Sequence, residues 1–213
     1  MKIYFISGLG ADERVFRHIK LPPQHQAVHL PWIEPLDDES LRDYSIRLAK
    51  GINRDESFGL IGLSLGGMVA TEIAKEYNPA GTVLISSIPL SSCMPPHYKL
   101  AGILRLHKIV PISFIKSVSR IKRLFTTETS EDKKMLFTMI RESNPRFIRW
   151  AFAAALGWKN EELPHPLHHI HGSADAILPM RYTKPGHVLP RAGHMMILNR
   201  AKQINEILEK IFP

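Results

Sequence analysis

Three residues of this chain have the types and the order needed for nucleophilic chemistry. Ser64 lies in the stretch Gly62-Leu-Ser-Leu-Gly66, and Asp175 and His194 follow it much later in the chain. A serine hydroxyl is a weak nucleophile at neutral pH, so it needs a base to take its proton and an acid to orient that base. The set therefore predicts attack of Ser64 on an acyl carbon, with His194 as the base and Asp175 as the acid.

The residues around the serine predict a strand, a tight turn and a helix. An apolar run from Phe58 to Gly62 has the length of a strand, and apolar residues recur at helical spacing from Leu65 to Tyr77. Glycine and serine are common in ordinary turns, so the short pattern alone is weak. The strand before it and the helix after it favour a nucleophile elbow, in which the Leu65 N–H faces a developing oxyanion.

A second glycine-rich turn, Ser7-Gly-Leu-Gly10, follows the first predicted strand. A dinucleotide-binding turn needs a third glycine where this chain has Glu13, so that interpretation fails on spacing. The alternative is the other half of an oxyanion hole, with the Leu9 N–H placed beside that of Leu65.

The predicted acid and base each come directly after a predicted strand. Asp175 follows the strand 167–171, and His194 follows the strand 187–190. Ligands of open α/β sheets bind at the carboxyl ends of the strands. Taken singly, Asp175 could be a turn residue and His194 one of 11 histidines without a chemical role. The order serine, acid, histidine favours the joint catalytic interpretation.

Apolar strands alternate with helices over both ends of the chain, which predicts an α/β fold with a mostly parallel sheet of about six strands. The predicted strands are 2–7, 27–30, 58–62, 82–86, 167–171 and 187–190, and the predicted helices of this core are 39–52, 65–77 and 199–212. We assign residues 1–88 and 164–213 to this core.

The composition changes in the segment 89–163, where no strand is predicted. Candidate helices lie near 97–107, 113–124, 130–143 and 145–156, which predicts an all-helical cap. The segment holds 13 Lys and Arg against 6 Asp and Glu, so it carries nearly all of the net charge of +8. The surplus suggests a substrate with an anionic tail, and a solvated basic face is the alternative.

Composition excludes several other classes of protein. The chain has no run of five basic residues and no nucleic-acid-binding motif, so no nucleic-acid partner is predicted. No run approaches the roughly 18 apolar residues of a membrane span, so no membrane insertion is expected. One cysteine, Cys93, excludes an internal disulfide framework. A cytoplasmic location fits these features.

These motifs resemble those of the α/β-hydrolase superfamily, and more narrowly those of small lipase- or esterase-type hydrolases with a helical cap. The resemblance implies hydrolysis of an ester or thioester through an acyl-enzyme, without a cofactor. Three departures stand out. The usual first hairpin is missing, Ser7 replaces the usual histidine of the oxyanion loop, and only 18 residues separate Asp175 from His194. A lyase or a non-catalytic binding protein on the same fold is the alternative.

Further residues are candidates for the walls of a substrate pocket, although plain packing explains them equally well. They are Trp32, Met94, Trp150 and Met195. Four histidines near the fifth predicted strand, at 165, 168, 169 and 171, raise the possibility of a metal site. No carboxylate or cysteine completes a ligand set there, so no metal is predicted.

Overall fold

Six parallel strands form the centre of the computed structural model, which describes residues 1–104 and 129–213. The strands are β1 (Lys2–Ile6), β2 (Gln26–His29), β3 (Phe58–Leu63), β4 (Gly81–Ile85), β5 (Leu167–Gly172) and β6 (His187–Leu189). Their order across the sheet is β2-β1-β3-β4-β5-β6, and every neighbouring pair is parallel. The predicted fold class is confirmed.

Helices cover both faces of the sheet, which is why the central strands are apolar throughout. All residues of β3 and β4 are buried. One face packs against α1 (Leu41–Leu48) and α2 (Leu65–Tyr77), and the other packs against α7 (Ala201–Ile211) and a 3₁₀ turn at Glu13–Phe16. The sheet therefore has an apolar core on each side, as parallel sheets require.

Two predicted core helices differ from the observed ones at their starts. The helix predicted from residue 39 begins at Leu41, because the Ser40 side chain caps it by accepting the Asp43 N–H. The helix predicted from residue 199 begins at Ala201 as α7, and a separate short helix, α6 (Met196–Asn199), precedes it. Arg200, with φ −123° and ψ 19°, interrupts the helical backbone between them.

Three helices of the segment 89–163 are described. They are α3 (Pro96–Ile103), α4 (Ser130–Glu142) and α5 (Pro145–Leu156). Thr129 and Asn144 cap α4 and α5 with their side chains. The predicted helix 113–124 lies outside the described residues, and the described parts of the segment contain no strand.

Charged side chains tie these helices to the core. Arg17 donates to Asp132 on α4 at 2.7 Å, and Arg14 donates to Glu142 at 2.9 Å. On the other side, the Trp158 indole N–H donates to the buried Glu72 of α2 at 2.7 Å. In the residues that the structure describes, none of the helices combines the length and the apolar character needed to cross a bilayer.

Candidate active site

Ser64 stands on a sharp turn between β3 and α2. Its φ of 51° and ψ of −117° are a sparsely populated backbone conformation for a residue with a side chain. A Cβ on Gly62 would lie 2.3 Å from the Gly66 carbonyl oxygen, and one on Gly66 would lie 2.2 Å from the Ile6 carbonyl oxygen. Both flanking glycines are therefore required by close backbone contacts.

Ser64, His194 and Asp175 form one hydrogen-bonded line. Ser64 Oγ lies 3.0 Å from His194 Nε2, and His194 Nδ1 lies 2.8 Å from Asp175 Oδ2. A carboxylate can only accept, so the neutral imidazole carries its proton on Nδ1. Nε2 is then free to accept the proton of the Ser64 hydroxyl.

The Asp175 carboxylate is buried and held by the backbone that follows it. Its Oδ1 accepts the N–H groups of Ile177 at 2.8 Å and Leu178 at 2.9 Å. Burial alone would raise the pKa of Asp175, but the facing His194 and these hydrogen bonds outweigh burial and lower the pKa below its ordinary value. Asp175 is therefore a carboxylate at neutral pH.

Two buried histidines of β5 stand behind this carboxylate. His171 Nε2 lies 2.7 Å from the Leu178 carbonyl oxygen and 3.4 Å from Asp175 Oδ2, and His171 Nδ1 lies 3.0 Å from His169 Nε2. Burial lowers the pKa of both rings, that of His169 to about 3. A neutral His171 must donate from Nε2 to the carbonyl, so His169 donates to its Nδ1. His171 thereby fixes the turn that holds Asp175.

Two backbone N–H groups, those of Leu9 and Leu65, flank the serine without an acceptor. Leu65 is the first residue of α2, so its N–H has no partner within the helix. Among the described residues, neither N–H donates to a backbone or side-chain acceptor. The loop of Leu9 approaches the serine closely, since a Cβ on Gly8 would lie 3.4 Å from Ser64 Cβ.

Ser7 braces this loop in place of the histidine usual at that position. Its hydroxyl donates to the Ala11 carbonyl at 2.8 Å, and the Trp32 indole N–H donates to the same oxygen at 3.2 Å. The departure noted in the sequence is therefore accommodated by two side chains that hold one carbonyl.

This arrangement of strands and loops has relatives among known proteins. Residues 4–207 match the family described as the alpha/beta hydrolase family. The chain belongs to this family. The match spans nearly the whole sequence, including the residues on both sides of the helical segment.

Solved structures of the same fold extend the likeness of this alpha/beta hydrolase. A thermophilic esterase from Thermogutta terrifontis is 18% identical, with 100% of this chain and 91% of that chain covered and a TM-score of 0.74. MenH from S. aureus is 15% identical, with 99% and 92% covered and a TM-score of 0.79. The esterase from Exiguobacterium antarcticum is 13% identical, with 98% and 90% covered and a TM-score of 0.75. No curated protein matches the sequence.

A cavity of about 310 Å³ in this alpha/beta hydrolase adjoins the serine and is almost wholly apolar. Its walls come from the loop 8–11, from α2, from α3, α4 and α5, and from the loops that hold Leu178 and Met195. Ser64, His194 and Tyr98 are the polar side chains among the described residues that line it, and no charged side chain does so. The cavity is therefore suited to an uncharged apolar group.

Two of the four predicted wall residues lie at this cavity and two do not. Met94 and Met195 line it. Trp32 instead packs against Phe147 at 5.0 Å between ring centroids and braces Ala11. Trp150 packs against Tyr44 with 4.2 Å between the ring centroids, and its indole N–H donates to the Glu39 carbonyl. Both rings join the packing between α5 and the core and line clefts other than this cavity, so their role in substrate binding stays a prediction.

Sequence reasoning missed Tyr98 and His171. Tyr98 lies on α3, and nothing in its sequence context indicated which face of that helix meets the cavity. His171 carried a usable signal, since it lies one position before Gly172 in the stretch that leads to Asp175 and on the same strand face as His169. The described residues contain no group of three His, Cys, Asp or Glu side chains able to hold a metal ion.

Proposed function

We propose that this protein hydrolyses a carboxylic ester or thioester with an apolar acyl group, through an acyl-enzyme on Ser64. The observation that carries the proposal is the hydrogen-bonded line from Asp175 through His194 to Ser64, beside two N–H groups without acceptors. These are the parts that acyl transfer by a serine requires. Their setting on an alpha/beta hydrolase fold supports the same conclusion.

The first half of the reaction forms the acyl-enzyme. Ser64 Oγ attacks the acyl carbon while His194 Nε2 takes its proton, and Asp175 stabilises the imidazolium that results. The carbonyl oxygen becomes an oxyanion and accepts the N–H groups of Leu9 and Leu65. The tetrahedral intermediate then collapses, and the leaving oxygen or sulfur takes the proton from His194.

The second half releases the acid. A water molecule gives its proton to His194 Nε2 and attacks the acyl carbon of the ester on Ser64. The same two N–H groups stabilise the second oxyanion, and Ser64 leaves with the proton returned by His194. No step needs a cofactor.

The cavity supports an apolar, uncharged acyl group as the substrate. Its described walls are hydrocarbon apart from three polar side chains, and a carboxylate placed there would lose its hydration without finding a cationic partner among the described residues. The predicted anionic tail has no support in these walls. Most of the basic surplus that suggested it comes from residues 105–128, outside the described residues.

We also propose that residues 89–163 act as a cap on the core. In support, Tyr98, Leu136, Ile140 and Ile148 of this segment line the cavity opposite Ser64. Such a cover excludes water from the reacting atoms and sets the shape of the acyl group that fits.

The test combines labelling and transient kinetics. Wild-type protein should be labelled by a fluorophosphonate and should release a burst of p-nitrophenol from a short-chain p-nitrophenyl ester before steady turnover. Ser64→Ala should abolish both, while Ser92→Ala, at an exposed serine, should change neither. Turnover that persists in Ser64→Ala would refute the acyl-enzyme, and labelling without a burst would favour a lyase. Binding of an ester without any turnover would favour a receptor.

A further inference from the structure

Tyr98 is the one polar side chain of the described cavity wall that the proposed reaction does not use. Ser64 and His194 are hydrogen-bonded to each other, and the rest of the described wall is hydrocarbon and backbone. Tyr98 lies near the start of α3, where its N–H donates to the Pro95 carbonyl at 3.0 Å. Its ring lies tilted against that of His97, with 4.2 Å between the ring centroids. Its hydroxyl makes no hydrogen bond with any residue that the structure describes, and it is not fully buried.

The surroundings of Tyr98 favour the protonated form of its hydroxyl. Burial raises the pKa of Tyr98, and the negative charge of Asp175 raises it further. The hydroxyl therefore keeps its proton at neutral pH and remains a hydrogen-bond donor. The unpaired hydroxyl is not fully buried, which agrees with the rule that polar groups removed from water are normally paired.

The lack of a partner matters when a substrate fills the cavity. In the empty cavity water can solvate the phenol, and a substrate that excludes this water leaves the hydroxyl unpaired unless it brings an acceptor. An unpaired buried donor costs far more than a paired one gains. Sites built to hydrogen-bond a substrate reject analogues that lack the matching group for this reason.

We propose that Tyr98 determines substrate choice by donating a hydrogen bond to a second acceptor atom of the ester. The inference rests on the proposed hydrolytic function. The carbonyl oxygen is already taken by the Leu9 and Leu65 N–H groups, and the leaving atom receives its proton from His194. The acceptor bound by Tyr98 is therefore an additional ether, hydroxyl or carbonyl oxygen within an otherwise apolar substrate.

The test compares wild type with Tyr98→Phe on paired esters. Each pair consists of an all-carbon ester and its analogue with an ether oxygen in place of one methylene group, at successive positions of the acyl part and then of the alcohol part. Tyr98→Phe should lower kcat/KM about three- to tenfold for the analogues whose oxygen reaches the phenol. It should leave their all-carbon partners within twofold or make them faster. Because each ratio compares two proteins on one ester, the intrinsic reactivity of the ester cancels.

Two controls separate the possible failures. Tyr182→Phe makes the same chemical change outside the cavity and should affect no pair. Equal ratios for both members of every pair would overturn the role of Tyr98, while burst kinetics dependent on Ser64 would leave the hydrolytic function standing. Absence of turnover and of Ser64 labelling in wild-type protein would instead overturn the proposed function itself.

Discussion

Replacement of Asp175 by asparagine should reverse the tautomer of His194 while it preserves the fold. Asp175 Oδ1 accepts two backbone N–H groups, from Ile177 and Leu178, and Oδ2 accepts His194 Nδ1–H. In Asp175→Asn the amide oxygen must stay with the two backbone donors, so the NH₂ group faces His194. Nδ1 must then accept, and the ring proton moves to Nε2.

The magnitude follows from the loss of the base. With the proton on Nε2, the imidazole can no longer accept the hydroxyl proton of Ser64, which lies 3.0 Å away. The same change in the serine-protease triad lowers kcat about 10⁴-fold. A factor of that size corresponds to about 5.5 kcal/mol of activation free energy at about 1.4 kcal/mol for each factor of ten. We expect a loss of this order in kcat here, with little change in KM.

The assay is steady-state hydrolysis of a p-nitrophenyl ester, with thermal unfolding measured in parallel. Asp175→Asn should unfold close to the wild-type temperature because both backbone hydrogen bonds remain, whereas Asp175→Ala should lose them and be less stable. A folded Asp175→Asn protein with kcat within tenfold of wild type would refute the role assigned to this carboxylate.

Three further predictions concern the turn at Ser64, the buried His169 and the charge of the substrate. Gly66→Ala should fail to fold or lose several kcal/mol of stability, because its Cβ would lie 2.2 Å from a backbone oxygen. Gly193→Ala should fold with near-normal stability, because no atom lies within 4 Å of the added Cβ. Equal thermal unfolding of the two variants would contradict this prediction. The pKa of His169 is about 3 in the folded protein and about 6.5 in the unfolded chain. Between these two pH values the unfolded chain therefore binds one more proton than the folded protein. As the pH is lowered from about 6 to 3, the free energy of unfolding should then fall by up to about 1.4 kcal/mol for each pH unit. In urea titrations of His169→Phe, this contribution to the pH dependence of the free energy of unfolding should be absent. Matched neutral and carboxylate-bearing esters should differ strongly in kcat/KM, in favour of the neutral ester, at low and at high salt. A preference for the anionic ester that disappears in high salt would instead support the substrate with an anionic tail that the basic surplus suggested.

The sequence predicted those parts of the site that depend on local backbone chemistry. The two glycines around Ser64 and the strand–turn–helix pattern required an elbow, and each of the other two candidates followed a strand. The rest depended on how separate elements pack. Whether an aromatic ring faces a cavity or a neighbouring helix is decided by the docking angle of α5, so Trp32 and Trp150 could not be assigned from their positions in the chain. Tyr98 could not be identified from the sequence either, because the packing of α3 decides which of its faces meets the cavity.

Asp175 and His194 are held in place although the segment between them is short. A 3₁₀ turn at Met180–Tyr182 stands between β5 and β6, where a longer crossover would hold a helix. The two loops are instead tied to each other directly. The Ala174 N–H donates to the Ala192 carbonyl at 2.9 Å, and the Arg191 N–H donates to Ser173 Oγ at 2.8 Å.

The order of the strands also places the groups of the proposed reaction on two sides of Ser64. The sheet order places β1, with the loop of Leu9, on one side of β3, and places β5 and β6, with Asp175 and His194, on the other. In the proposed reaction, the Leu9 N–H meets the charge on the carbonyl oxygen from the first side, and His194 handles the proton from the second. Because neighbouring strands hold these loops beside Ser64, the groups of the proposed reaction are in place before a substrate binds, and the proposed cap then decides which acyl group reaches them.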